Sequence, residues 1–143
     1  MDSRETRPLN FRKSDLVEGV EIKKLDVGDY SIEGLENNIA IERKSPNDLF
    51  GTLGKGHSRF KAELERAKSF DYFAIVVDCS FNRIRDKDFE GAHFSSMRGD
   101  VVINILSTLE VKYDIHVHYC NDRNESTSLI RNLFKAYWKI HGK

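Results

Sequence analysis

A carboxylate and an ammonium two residues apart close an apolar run in Ile41-Glu42-Arg43-Lys44-Ser45-Pro46-Asn47-Asp48-Leu49. Asp48 follows where a helix should begin, and thirteen residues upstream of Glu42 stands Asp29, in Gly28-Asp29-Tyr30. On a strand, Glu42 and Lys44 leave the same face with Cα atoms about 6–7 Å apart. Asp29, on a partner strand, can sit across from Glu42. Two carboxylates and a backbone carbonyl suit a hard, oxygen-preferring cation, Mg²⁺ or Mn²⁺. Such an ion polarises a phosphoryl oxygen and acidifies its bound water. Lys44 would then position that water or stabilise developing negative charge. Arg43 faces the other way, open to pairing with Asp48 or to approaching a phosphate from another side. Taken singly, these residues also fit plainer roles: a solvated ion pair, a Gly-Asp turn, and an acid favoured at a helix N-terminus.

The elements that must hold these groups are readable from periodicity. Val20–Leu25 reads as a strand with Gly28 as a turn, and Tyr30–Ile32 as a short strand ending at Gly34. After a turn at Asn37-Asn38, the run 39–44 alternates. Ile39, Ile41 and Arg43 face one way and Ala40, Glu42 and Lys44 the other. The Asp29 strand thus turns back through the Glu42 strand as a hairpin. Ser45 as N-cap and Pro46 at the first helical position predict a helix through Leu53, stopped by Gly54-Lys55-Gly56. A second helix is predicted from Ser58, with Phe60, Leu64, Ala67 and Phe70 on one face. Tyr72–Val77 is a continuous apolar run, as in a strand buried on both faces. Met97–Leu109 has helical spacing, Ile115–Tyr119 alternates as a strand, and Ser126–Ile140 is a last amphipathic helix. The order predicts an α/β fold: a central mixed β-sheet flanked by helices on both faces, with the acid-bearing hairpin at one end.

A length of 143 residues suits a single domain, expected over 1–143. No stretch approaches the ~20 apolar residues of a membrane span, and the first residues are too polar for a signal peptide. Cys79 and Cys120 share no metal-ligand spacing, which suits packed thiols in a reducing compartment. The expected location is the cytoplasm of a bacterium or a virus's host cell, or the nucleus in a eukaryote. Net charge is zero, but unevenly spread. Residues 43–68 hold seven Lys/Arg against three Asp/Glu, next to an acidic stretch ending on Glu42. That is the pattern of a metal site flanked by a polyanion-binding surface, or of chance clustering on solvated faces. Within the basic segment Lys55, His57 and Arg59 are candidate phosphate contacts, and His57 equally suits plain loop surface. Phe81–Arg85 offers further basic groups. His116 and His118 lack a third ligand and read as core or surface residues. Phe134, Tyr137 and Trp138 read as helix core, with an alternative as a dimer face.

Gly28-Asp29-Tyr30 followed by Ile41-Glu42-Arg43-Lys44 and Asp48 resembles the G-D-Y … [VI]-E-R-K-x-x-x-D signature of XPF-type nuclease domains, a branch of the restriction-endonuclease-like superfamily. Asp2-Ser3-Arg4-Glu5 is similar to that family's D-x-R-E. The resemblance implies a metal-dependent endonuclease acting on branched, flap or fork DNA, as in DNA repair and recombination. It implies Asp29 and Glu42 as metal ligands, with Mg²⁺ or Mn²⁺ as cofactor. Lys44 would be the base or electrostatic aid, and Asp2, Glu5 and Asp48 would line the site. It leaves Arg43 structural or substrate-facing, and Lys55, Arg59 and Phe60 resemble the family's DNA-facing segment after the motif helix. It also implies pairing of two copies through the C-terminal helices. In the family the D-x-R-E acid ends an apolar strand, whereas only Met1 precedes Asp2 here. No helix-hairpin-helix module follows, so a stand-alone nuclease domain is expected. The alternative function is a non-catalytic DNA-binding or scaffold subunit of a nuclease complex.

Overall fold

Six residues alternating between two apolar environments set the centre of the molecule. The computed structural model describes residues 22–24 and 29–142, with side chains from Tyr30 onward. Its strands are β1 (Ile22–Lys24), β2 (Asp29–Ile32), β3 (Ile39–Lys44), β4 (Tyr72–Val77) and β5 (His116–Tyr119). The α-helices are α1 (Pro46–Leu53), α2 (His57–Ala67), α3 (Phe81–Asp86), α4 (Gly99–Tyr113) and α5 (Arg123–His141), with one 3₁₀ turn at Ala92–Phe94. The strands form one sheet in the order β1-β2-β3-β4-β5. The first three are antiparallel neighbours, whereas β3, β4 and β5 run parallel. The sheet is therefore mixed, as the sequence predicts.

Each sheet face carries its own core. Ala40, Phe73, Ile75 and Val77 pack with Leu49, Phe50 and Leu53 of α1, Phe60 and Leu64 of α2, Ile84 of α3, and Val102, Leu106 and Leu109 of α4. Ile39, Ile41, Ala74 and Val76 pack on the reverse face against Ile130, Phe134 and Tyr137 of α5. The alternation in β3 and β4 follows from the two-residue period of a strand. Burial on both sides explains why β4 reads as an unbroken apolar run. Phe134 and Tyr137 are thus committed to the sheet, and the Tyr137 hydroxyl donates to Asp71 Oδ2 at 2.7 Å. Among the described residues no helix is long and apolar enough to cross a membrane.

Local signals place the helix starts. Ser45 caps α1, its Oγ accepting from Asp48 N at 3.2 Å, and Pro46 opens the first turn. α2 begins at His57, one residue before the predicted start, and α4 runs on to Tyr113. α3 was expected only as a basic segment. Ser80 caps it through Arg83 N, and Ile84 ties it to the core. The first residue of α4 lies tight against α3. A Cβ on Gly99 would meet the carbonyl oxygens of Ile84 and Arg85 at 2.2 Å. Those atoms are backbone and cannot swing aside. Gly99→Ala should therefore cost roughly 1–3 kcal/mol, read as a lower urea midpoint with an unchanged m-value.

Candidate active site

At the C-terminal end of β3 the strand presents Glu42 and Lys44 toward α1 and α2. Both side chains are nearly buried, at 3% and 7% exposure, and Lys44 Nζ lies 3.0 Å from Glu42 Oε1. The pairing is what the two-residue spacing predicts. Among the described residues, Glu42 Oε2 is also buried and meets no hydrogen-bond donor unless the nearby Glu63 carboxyl of α2 keeps its proton. An anionic oxygen held out of water without a donor is costly, so its presence beside a cleft needs a reason.

That cleft, of about 690 Å³, is lined by Glu42 and Lys44 from β3, by Asn47, Asp48, Gly51 and Thr52 from α1, and by the turn and helix beyond. Lys55 in the turn and Arg59, Glu63 and Arg66 on α2 complete it. Arg59, Glu63 and Arg66 are spaced by four and three residues, which puts them on one side of a helix. Asp48 therefore joins Glu42 and Lys44 around one cleft, while Lys55 and Arg59 are exposed on its walls.

Glu63 belongs to this cleft although its sequence context did not single it out. Its carboxyl is pushed from its ordinary value of 4.5 up to about 8, first by burial and then by the Glu42 carboxylate beside it. Lys44 and Arg66 pull the other way and do not prevail. When Glu63 keeps its proton it can donate toward Glu42. When both acids are ionised, no donor reaches Oε2. The only sequence signal was positional: Glu63 borders the apolar stripe of Phe60, Leu64 and Ala67 rather than lying opposite it.

A raised carboxyl binds its proton more tightly in the folded chain than in the unfolded one. Folding stability therefore falls as pH rises from about 4.5 to about 8. The metal-free protein should lose about 2 kcal/mol across that window, under half the full linkage value because the cleft is open to water. Glu63→Gln should flatten the profile, as read from melting curves in chelator at a series of pH values. An unchanged pH slope in that variant would refute the assignment.

Arg43 is not brought to the cleft. Its Nη2 lies 2.6 Å from Asp78 Oδ2 with both side chains about nine-tenths buried, and Ser126 of α5 donates to Asp78 Oδ1. Arg43 thus joins β3 to the segment after β4 and to α5, and it does not pair with Asp48. His57 opens α2 and lines a separate groove with Lys61, Val101, Ile105 and Lys112. His116 stacks on Tyr72 at 4.5 Å, and burial pushes His118 down. Cys79 and Cys120 are buried free thiols. Asp29 pairs in register with Glu42, so its backbone stands where the hairpin reading put it. Its side chain, like all of Asp2 and Glu5, lies outside the described residues.

Among the described residues no three His, Cys, Asp or Glu side chains gather as a metal-ligand set. The described part of the cleft supplies three carboxylates, Glu42, Asp48 and Glu63, of which Glu42 and Glu63 lie side by side, and position 29 pairs with Glu42 across the hairpin. Hard oxygen donors of this kind fit a divalent cation such as Mg²⁺ or Mn²⁺.

A family model described as the ERCC4 domain matches residues 1–133. The structure of XPF from Aeropyrum pernix superposes with a TM-score of 0.59 at 21% identity, covering 80% of this chain and 51% of that one. The same protein solved in complex with DNA gives a TM-score of 0.56 at 20% identity, over 82% and 52%. The chain thus spans about half the length of the solved chains it matches. No curated protein matches it.

Proposed function

This chain belongs to the ERCC4 domain family, and on that footing we propose that it is a divalent-metal-dependent DNA endonuclease with a preference for branched, flap or fork DNA. The observation that carries the proposal is the buried Glu42–Lys44 pair, with the Glu63 carboxyl beside it, opening on a cleft walled by Lys55, Arg59 and Arg66. Negative groups at the floor and positive groups at the rim suit a phosphodiester whose backbone must be bound while one phosphorus is attacked.

Glu42 and Glu63, with Asp29 in register beside Glu42, would hold a Mg²⁺ or Mn²⁺ ion. When bound, that ion supplies a polarised phosphoryl oxygen and an acidified water. Lys55 and Arg59 attract and orient the flanking phosphates. Lys44, ion-paired with Glu42, stabilises negative charge as it grows on the phosphoryl oxygens. The near absence of solvent around Lys44 strengthens that interaction relative to water. Asp48, on the first turn of α1, lines the same cleft. Arg43 acts on the fold.

The test is a panel of flap, fork, single-stranded and blunt duplex DNA incubated with Mg²⁺, Mn²⁺ or chelator. Metal-dependent cuts that favour a branched substrate are expected. Salt-sensitive DNA binding without cleavage in either metal would establish a non-catalytic subunit in place of a nuclease.

A further inference from the structure

Next to the acidic cleft lies a second groove of about 490 Å³, and the two share Asn47, Gly51 and Lys55 in their walls. The far wall of this groove is the segment between α3 and α4, including Phe89, Phe94, Ser95, Ser96 and Met97. Phe94 is 84% exposed, the most exposed aromatic residue among those described as large exposed hydrophobics. Its ring lies 4.2 Å from the His93 ring, tilted by 36°. Phe94 thus offers an open ring face beside a mostly apolar groove whose one charged lining residue is Lys55.

The segment that carries it is held firmly. Asn47 Nδ2 donates to Glu90 O at 2.8 Å, tying it to the first turn of α1. Lys87 Nζ donates to Ser95 O at 2.6 Å, and Met97 N donates to Ser95 Oγ at 3.2 Å. Phe89 packs on Phe50 with ring centroids 5.2 Å apart. Gly91 turns the chain at φ +86°, where a Cβ would meet the Asn47 amide at 2.9 Å. Phe94 is therefore displayed from an anchored backbone, and ordering it for a ligand costs little.

We propose that the His93–Phe94 ledge and the groove beneath it form a subsite for an unpaired nucleotide of the DNA strand leaving the catalytic cleft, with the base stacked on Phe94 and its phosphate near Lys55. The proposal rests on the reading of the chain as a DNA nuclease, and it names the feature of the substrate that is selected. Base pairs in a duplex present only their edges, so a ledge that offers a ring face recognises a base only where the strand is splayed. The shared wall makes the route from cleft to ledge continuous. Phe89 and Met97 supply apolar packing, and Ser95 and Ser96 supply polar atoms that tolerate any base. The outcome is selection for a single-stranded arm beside the cut without sequence preference.

The test uses the wild-type chain with Ca²⁺ in place of Mg²⁺ and a flap substrate carrying 2-aminopurine in its single-stranded arm. Stacking on the ledge should change the 2-aminopurine emission on binding. Phe94→Ala should abolish that change and weaken flap binding roughly tenfold, with blunt-duplex affinity and melting temperature unchanged. Phe94→Trp should restore tight flap binding. Equal flap binding by wild type and Phe94→Ala, or an equal loss on flap and duplex, overturns the subsite and leaves the nuclease reading standing. A wild-type chain that binds neither DNA overturns both.

Discussion

Glu42→Gln should lower the single-turnover rate of metal-dependent DNA cleavage roughly a thousandfold, about 4 kcal/mol of barrier. The glutamine keeps the volume and one oxygen of the native side chain. It removes the charge that pairs with Lys44 at 3.0 Å and the second anionic oxygen, beside Glu63. Both losses fall in the cleft proposed to hold the reacting phosphate, since Glu42 and Lys44 line the same cleft as the basic rim. Glu42→Ala is the less informative change, because it leaves Lys44 buried without a counter-ion and so also lowers stability. Melting curves separate the two effects. A folded Glu42→Gln protein that cuts as fast as wild type would remove Glu42 from the chemistry and the metal proposal with it.

Arg43→Ala should destabilise the chain by about 3–5 kcal/mol, the scale expected when one partner of a buried ion pair is removed. Asp78 would keep the Ser126 hydroxyl and the weaker pull of the Arg123 charge. Burial already pushes the Asp78 carboxyl up, with Ser126 and Arg43 pulling it down. Without Arg43 it rises further, and the native state takes up a proton that the unfolded chain releases. The destabilisation should therefore be smallest in acid and grow with pH. Urea titrations at two pH values measure it. Pairing Arg43→Met with Asp78→Leu should recover much of the loss, because removing both charges leaves no uncompensated one. Cleavage per folded molecule should survive in that double variant. A stable Arg43→Ala protein that has lost cleavage would mean instead that Arg43 meets the substrate.

Much of the site was legible because it rests on local rules. The β3 boundaries, the opposed faces of Arg43 and its neighbours, and the Ser45–Pro46 helix start all follow from strand period and capping, which involve residues close in the chain. The expectation of helices on both faces came from the order of the elements, with which the unbroken apolar run of β4 agrees. What escaped depends on distant packing. Glu63 matters only because α2 lies across the end of β3, and nothing in the run His57–Ala67 announces that crossing. Asp78 lies 35 residues from Arg43, and its role needs both the parallel pairing of β3 with β4 and the seat of Ser126. The six-residue α3 was too short for periodicity to reveal, with Ile84 its one buried side chain. His57 drew notice as a basic loop residue, but the helix begins on it and turns it toward Val101 and Ile105.

The opposed faces of three consecutive residues in β3 also constrain how the length of this chain can vary. A one-residue insertion or deletion within Ile39–Lys44 that left the outer pairing in place would exchange the two faces beyond it. Arg43 would turn into the acidic cleft, and Glu42 or Lys44 would turn under α5. A single event would then cost both the chemistry and the ion pair beneath the C-terminal helix. The connection between β2 and β3, residues 33–38, carries no such parity: it is mostly exposed, and of its residues Leu35 packs against the core under α5. Length changes should accumulate in that connection and be absent from β3, whatever else drifts.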